Sequence, residues 1–339
     1  MRRSVGVRRW RRERGAGFGR GLLRGPAQVM FLADARAGAV FCLALATADW
    51  RYGGYALGGA VLGTGTARLL HVARDRVELG LEGFNSCLVA LWCAVFLGPG
   101  RLSTALLATV AGVATTVATA AVARLLRLWQ LPPLTLPFCL LAGVVTLAAP
   151  AFRRVRPHAA ASAALPGPAI GPTAPHPDDL WRAFFRNISQ VFFLDQWYVG
   201  GLLLVGLFLA SRAVGLLACA GSATGTLTAW ALGAPAAGIT DGTMGYNAVL
   251  VAIALGGVFL AAAPATLLYA LLGAVTATAV TPAVAQLLAP SGGRAFTWPF
   301  VLTTLCFLAA ARSFPRLTGR PPAQDESRPH RPRTPAPTA

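Results

Sequence analysis

The sequence predicts an all-α integral membrane protein made of two inverted homologous repeats, each with about five transmembrane helices and one re-entrant half-helix. Three observations predict it. The chain is 55% hydrophobic and only 12% charged; it repeats itself at a fixed spacing; and each copy holds an odd number of apolar runs, about five.

The repeat is legible residue by residue. Gln28, Val29 and Phe31 recur as Gln190, Val191 and Phe193; Gly83, Asn85 and Leu88 recur as Gly245, Asn247 and Leu250. Thr135, Pro137 and Phe138 recur as Thr297, Pro299 and Phe300, and every pair is 162 positions apart. The same register carries Gly59, Gly63, Thr64, Thr66 and Ala67 onto Gly221, Gly225, Thr226, Thr228 and Ala229. Two homologous halves in so apolar a chain point to a transporter or channel with its site between the repeats.

The charges sit in blocks. Between Ala213 and Gly293 the sole charged residue is Asp241, and Leu102 to Ala123 has none. About 20 apolar residues cross a roughly 30 Å hydrocarbon core as a helix, because lipid offers no partner to an unpaired backbone group. The net charge of +18 is not a nucleic-acid footprint: all 30 basic residues are Arg, and they crowd into the two tails and the middle of the chain. Basic flanks favour the cytoplasmic side, which predicts both termini inside, an even number of crossings and a multi-pass protein of the cell (cytoplasmic) membrane. Contact of the tails with anionic membrane lipid is the second use of that charge.

In order along the chain, a basic tail (1–24) precedes a first membrane repeat (25–152) with helices expected near 36–50, 53–73, 84–98, 102–124 and 136–151. A Pro-, Ala- and Gly-rich flexible connector (153–184) follows. The second repeat (185–314) has helices expected near 198–211, 213–233, 246–262, 265–288 and 298–312, and a disordered basic tail (315–339) closes the chain. An odd number of crossings per repeat inserts the second copy upside down relative to the first. Segments 26–34 and 187–195 are too short to span and are expected as half-helices at the pore; the competing reading is an amphipathic segment lying on the membrane surface, against which the repeated Gln-Val-x-Phe speaks.

Other features read as structural. Cys42, Cys87, Cys93, Cys139, Cys219 and Cys306 form no C-x-x-C pair and lie mostly in apolar runs, the four His are scattered, and no metal or cofactor site is expected. Asn187-Ile-Ser189 fits a glycosylation pattern by coincidence. Asn85 and Asn247 are expected to bind backbone at a helix start, and the Gly59/Gly63 and Gly221/Gly225 pairs to let helices approach closely.

The motifs Gln190-Val-Phe-Phe-Leu, Gly245-Tyr-Asn-Ala-Val-Leu and Thr297-Trp-Pro-Phe, with their first-half counterparts Gln28-Val-Met-Phe-Leu, Gly83-Phe-Asn-Ser-Cys-Leu and Leu131-Pro-Pro-Leu-Thr-Leu-Pro-Phe, resemble the urea transporter family over roughly 24–150 and 185–312. The resemblance implies a passive, channel-like protein that moves urea, a homotrimer with one pore per protomer, and no enzymatic activity. It implies a slot-shaped filter made of Gln28, Val29, Phe31, Leu88 and Thr135 with Gln190, Val191, Phe193, Leu250 and Thr297. Where some members of the family carry an acid, Gln190 is a neutral amide. Ser86, Cys87 and the stretch Thr240-Asp-Gly-Thr-Met depart from the family's habits, which bears on selectivity among small amides.

These residue types suit urea on their own chemistry. Urea is planar and neutral, with four N–H donors and one carbonyl, and each unreplaced hydrogen bond costs on the order of a few kcal/mol on dehydration. The hydroxyls of Thr135 and Thr297, the side-chain carbonyls of Gln28 and Gln190 and the free backbone carbonyls at half-helix ends supply acceptors, with the two threonines expected at equivalent depths on opposite sides of the midplane. Phe31, Phe193, Leu88 and Leu250 supply flat apolar walls; the competing reading of those four is core or lipid-facing packing. Rival functions are a channel for another small neutral solute (a short-chain amide, ammonia or water), an ion-coupled carrier and a membrane enzyme. The acids outside the tails that could serve a carrier are Asp241 and Glu82, near loop-like breaks, and no nucleophile–base pair or ATP-binding motif is visible.

Overall fold

The computed structural model describes residues 19, 21–155, 164–317 and 319. The predicted tails, up to 18 and from 320, and connector residues 156–163 lie outside the described residues. Among the described residues the chain is helical without a strand, a single bridge joining Leu260 and Gly319.

Among the described residues fourteen α-helices follow one another. The first repeat comprises α1 (21–28), α2 (Ala35–Ala48), α3 (Trp50–Leu69), α4 (Arg74–Glu78), α5 (Phe84–Leu97), α6 (Leu102–Leu126) and α7 (Leu136–Ala148). The second comprises α8 (Pro177–Ser189), α9 (Trp197–Ala210), α10 (Arg212–Ala231), α11 (Ala236–Thr240), α12 (Tyr246–Ile253), α13 (Pro264–Leu288) and α14 (Trp298–Ala311). From α2 onward the repeat holds in the elements themselves, since α2, α3, α4 and α6 begin and end 162 residues before α9, α10, α11 and α13.

Local chemistry explains the boundaries. Asp34 caps α2 by accepting from the amides of Arg36 and Ala37, and Asp49 caps α3 by accepting from Arg51, so one residue separates two helices that the sequence reading parts at 51–52. Pro264 opens α13 and Pro137 and Pro299 sit in the first turns of α7 and α14, where a missing N–H costs nothing. Gly256 and Gly257 loosen the end of α12 into a π-helical turn, Ala254–Phe259, which carries it to the position matching the end of α5.

Small residues set the packing. A Cβ at Gly59 would stand 2.4 Å from the Ser86 carbonyl oxygen and one at Gly221 2.8 Å from that of Ala248, so α3 lies directly on α5 and α10 on α12, as the paired glycines predict. The repeats meet where α2 packs on α9 and α7 on α14, the Phe41 ring lying against Gly206 and 5.8 Å from Phe192. Outside, α6 leaves Leu102, Leu106, Val110, Val113 and Val117 exposed along one stripe, and α13 leaves Leu268, Leu272 and Val275. Such a surface belongs against lipid or another protein.

The ten predicted helices differ in rank. Three, Leu102–Trp129, Arg212–Ala231 and Pro264–Ser291, are long and apolar enough to cross a membrane, and five shorter apolar helices accompany them. A 14-residue helix such as α2 or α5 reaches only about 21 Å. The helical stretch Pro177–Phe192 meets α9 at 76°.

The half-helices are displaced from their expected positions. Residues 29–34 and 194–196 form turns and extended links, and the helices lie ahead of them, α1 ending at Gln28 and α8 at Ser189 with one 3-10 turn, Gln190–Phe192, beyond it. Because α8 starts at Pro177, the expected boundary at 184/185 falls within a helix. Asp178, Asp179, Arg182 and Arg186 give α8 a polar face that reads as connector in one dimension, while the two acids in its first turn complement the helix dipole.

Candidate functional site

The site grows from the two short helices. After Gln28 and Gln190 the chain turns at Phe31 and Phe193, whose φ angles of 63° and 65° lie in the left-handed region. The turns close with amide bonds from Phe31 to Gln28 and from Phe193 to Gln190, both 3.0 Å, and from Leu32 to Ala27 and Leu194 to Ser189. Glycine is the usual residue there; a phenylalanine accepts about 1–2 kcal/mol of backbone strain and in return projects a ring from the turn.

The two glutamines are tethered in parallel fashion. Gln28 Nε2 donates to the Leu79 carbonyl at 2.7 Å and Gln190 Nε2 to the Asp241 carbonyl at 2.8 Å, which leaves each side-chain carbonyl available as an acceptor. Those backbone carbonyls are aimed by the next residues, Gly80 and Gly242, at φ 79° and 78°. A Cβ there would also come within 2.7 Å of Arg24 or 2.5 Å of Arg186 backbone, so both positions demand glycine.

Thr135 and Thr297 cap α7 and α14 in place but not in hydrogen bonding. The N2 residue of each helix is proline and offers no N–H, and the next amide in α14, Phe300 N, donates to Asn247 Oδ1 at 3.2 Å. The Thr297 hydroxyl is thereby released. It meets the Thr135 hydroxyl at 2.6 Å, with both residues buried, and the Cys139 thiol at 3.2 Å. The hydroxyls therefore touch each other, whereas the sequence reading sets them apart across the midplane.

Two cavities reach the residues that precede the threonines, Leu134 and Phe296, and neither is lined by Thr135 or Thr297. One, of 520 Å³, is lined by Gln28, Phe31, Phe84, Leu134, Val258 and Phe259 among others, and one of 610 Å³ by Gln190, Phe193, Tyr246, Phe296, Trp92 and Phe96 among others. Gln28, Phe31, Phe84 and Leu134 are the repeat mates of Gln190, Phe193, Tyr246 and Phe296. Each cavity thus joins the start of one repeat's helix (Phe84 or Tyr246) to the far end of the other's (Phe259 or Phe96). The remaining predicted residues, Val29, Val191, Leu88 and Leu250, are buried and line neither cavity.

Aromatic rings converge on both phenylalanines. Phe31 lies edge-on to Phe259 and Phe300 at 6.0 Å; Phe193 stacks on Phe138 at 5.3 Å and stands edge-on to Trp92 at 5.4 Å. Phe31 with Phe300 and Phe193 with Phe138 are repeat-mate pairs, edge-on in the first and stacked in the second. Phe138 and Phe300 were visible beside the repeated threonines; Trp92, Phe259 and Cys139 carry no one-dimensional signal, because each reaches its site from the other repeat.

The cavities differ in charge. Arg76 and Arg127 line the first, with Arg76 paired at 2.6 Å to the buried Glu82. Asp195, Asp241 and Arg294 line the second, the Arg294 guanidinium resting over the Trp92 and Phe96 rings. Asp241 Oδ1 is buried without a hydrogen-bond partner, and burial raises this carboxyl above the usual carboxylate range. Asn85 binds the Leu134 carbonyl, and Asn187 is buried against Ser222 and Thr226, so the first serves backbone as expected and the second lies away from any surface. Among the described residues no group of three or more His, Cys, Asp or Glu could hold a metal.

A family model described as urea transporter matches residues 20–312. The chain belongs to the urea transporter family. It is 30% identical over 304 residues to urea transporter 1 of Mus musculus and 29% identical over 306 residues to urea transporter 1 of Ovis aries, in each case over 88% of this chain and 79% of the relative. In this family member the glutamines and phenylalanines singled out by the repeat thus line two cavities, and the threonines meet each other next to Leu134 and Phe296 of those linings.

Proposed function

We propose that the protein is a passive urea channel in which the two cavities are vestibules and the segment between them, carrying Thr135 and Thr297, is a slot-like filter. The observation that carries this reading is the pairing of the two cavities under the repeat, Gln28, Phe31, Phe84 and Leu134 in one answering Gln190, Phe193, Tyr246 and Phe296 in the other, with the neutral Thr135–Thr297 contact next to Leu134 and Phe296. Urea entering the filter exchanges water for the Gln28 and Gln190 carbonyls and the threonine oxygens, each bond contributing a net ~0.5–1.5 kcal/mol. The rings of Phe31 and Phe193 admit a flat molecule and give an ion nothing to replace its hydration. Val29, Val191, Leu88 and Leu250 back the filter and hold its shape.

The halves act as an inverted repeat. Support comes from the mixed ends that share each cavity, since a parallel arrangement would bring Phe84 and Tyr246 to the same one. Arg312, at the end of α14, donates to the Gln130 carbonyl at 2.9 Å, and connector residue Gly167 bonds to Gln286, so the end of each repeat sits beside the α6 or α13 terminus of the other. Arg68, Arg74, Arg76, Arg124 and Arg127 have the uncharged mates Trp230, Ala236, Gly238, Gln286 and Ala289. With the copies inverted, that asymmetry supports a cytoplasmic α1 side. The membrane repeats extend over 21–152 and 177–314, and the exposed apolar stripes of α6 and α13 face lipid or sister protomers in a homotrimer of the cytoplasmic membrane.

The test is stopped-flow uptake into proteoliposomes with urea, acetamide and glycerol compared side by side. Fast, saturable or linear urea equilibration without a gradient supports the channel. Uptake above equilibrium, or dependent on a sodium or proton gradient, overturns it in favour of a coupled carrier, and preference for acetamide or glycerol assigns the pore to another neutral solute.

A further inference from the structure

The repeat is broken at one place where it touches the threonine pair. Cys139 lies one turn beyond Thr135 on α7, is buried, and sets its thiol 3.2 Å from Thr297 Oγ1 of the other repeat. Its repeat mate is Val301, which has no polar side-chain atom. A threonine hydroxyl offers one proton and two lone pairs. At Thr297 one of these three is engaged by Thr135 and a second by Cys139. At Thr135 the close bond is the one to Thr297, and the Cys139 thiol acts on it more weakly than on Thr297.

We infer that Cys139 is a positioning residue that makes the two halves of the filter unequal: by engaging Thr297 it leaves Thr135 as the hydroxyl with more free valences for the solute. The inference rests on the channel reading above. The count of free valences holds for each arrangement of the protons. If the thiol donates to Thr297 and Thr297 to Thr135, the Thr135 proton is free to meet the solute carbonyl. If Thr297 donates to sulfur, Thr135 donates to Thr297 and keeps both lone pairs for solute N–H groups. If the thiol and Thr135 both donate to Thr297, the Thr297 proton is left free and Thr135 keeps both lone pairs; in every arrangement Thr135 keeps two free valences and Thr297 one, so the side of the filter contributed by the second repeat is partly occupied by a thiol from the first.

The experiment compares Thr135→Val with Thr297→Val in two backgrounds, wild type and Cys139→Val, reading urea permeability per reconstituted protomer. Valine at 139 reproduces the residue its own repeat mate uses, and Cys139→Ala provides a second background of the same kind. In the wild-type background Thr135→Val lowers permeability about two- to tenfold more than Thr297→Val, the worth of one hydrogen bond. In the Cys139→Val background the two losses converge, and Cys139→Ser, which keeps a donor and an acceptor, retains the gap. A merely structural Cys139 scales both threonine variants together and leaves their ratio unchanged in every background; that result overturns the inference, as do equal losses in the wild-type background. Wild-type permeability in both threonine variants removes the pair from the pathway and overturns the channel reading of the site itself.

Discussion

Gly38 and Gly200 hold the site together from outside it, and replacing either with alanine tests the architecture directly. They are repeat mates on α2 and α9, and a Cβ there would stand 1.6 Å from the Leu23 carbonyl oxygen of α1 or 1.9 Å from that of Phe185 in α8. A carbon and a carbonyl oxygen ordinarily approach no closer than about 3.3 Å. Gly38→Ala therefore drives α1 away from α2 by about 1.7 Å, and Gly200→Ala drives α8 away from α9 by about 1.4 Å. Both obstacles are backbone and cannot swing aside. The cost lies at the upper end of the ~1–3 kcal/mol typical of overpacking, which for a chain of 339 residues lowers the melting temperature by roughly 3–4 °C. The displaced helix carries the glutamine tether with it: a 2.7 Å bond from Gln28 to Leu79 lengthened by over an ångström is no longer a hydrogen bond. Urea permeability per folded protomer then falls about two- to tenfold. The assay pairs thermal unfolding of the detergent-purified protein with proteoliposome flux, and the control is Gly54→Ala, whose Cβ meets nothing within 4 Å. If Gly38→Ala and Gly200→Ala match that control in both measurements, the helix crossing does not position the site.

Three further outcomes are expected. Urea flux is insensitive to membrane potential, because the solute is neutral, whereas a carried elementary charge would feel about 2.3 kcal/mol per 100 mV; flux measured under valinomycin-clamped potassium gradients checks this. Phe31→Ala and Phe193→Ala relax selectivity more than they abolish conduction, so methylated ureas enter at rates closer to urea; unchanged discrimination in both variants removes the rings from the pathway. Asp241 has its pKa raised by burial, so its carboxyl costs the folded protein stability as pH rises above the ordinary carboxylate value of about 3.9 and costs nothing below it. Asp241→Asn accordingly melts higher than wild type at neutral pH, and the difference closes as pH falls; a difference independent of pH would mean that the gain comes from something other than this charge.

The 162-residue repeat, read as letters, determined which elements come in pairs, and the structure keeps that register in α2, α3, α4 and α6 against α9, α10, α11 and α13. It also singled out the glutamines, phenylalanines and threonines, and composition placed the chain in a membrane, since both are properties of the linear pattern. Helix lengths and the path of the half-helices were not legible. The polar face of α8 looks like connector until Gly200 packs on Phe185, and the turns at Phe31 and Phe193 adopt a conformation that sequence assigns to glycine. Tertiary structure alone decided that the Thr135 and Thr297 hydroxyls touch, that Pro299 and Asn247 free one of them from capping, that Trp92 and Phe259 wall the opposite repeat's cavity, and that Cys139 reaches across to Thr297. The reason is physical: local periodicity records which face of a helix is apolar, but a contact between residues more than 150 positions apart is fixed by how two packed repeats meet, and no local pattern encodes that geometry.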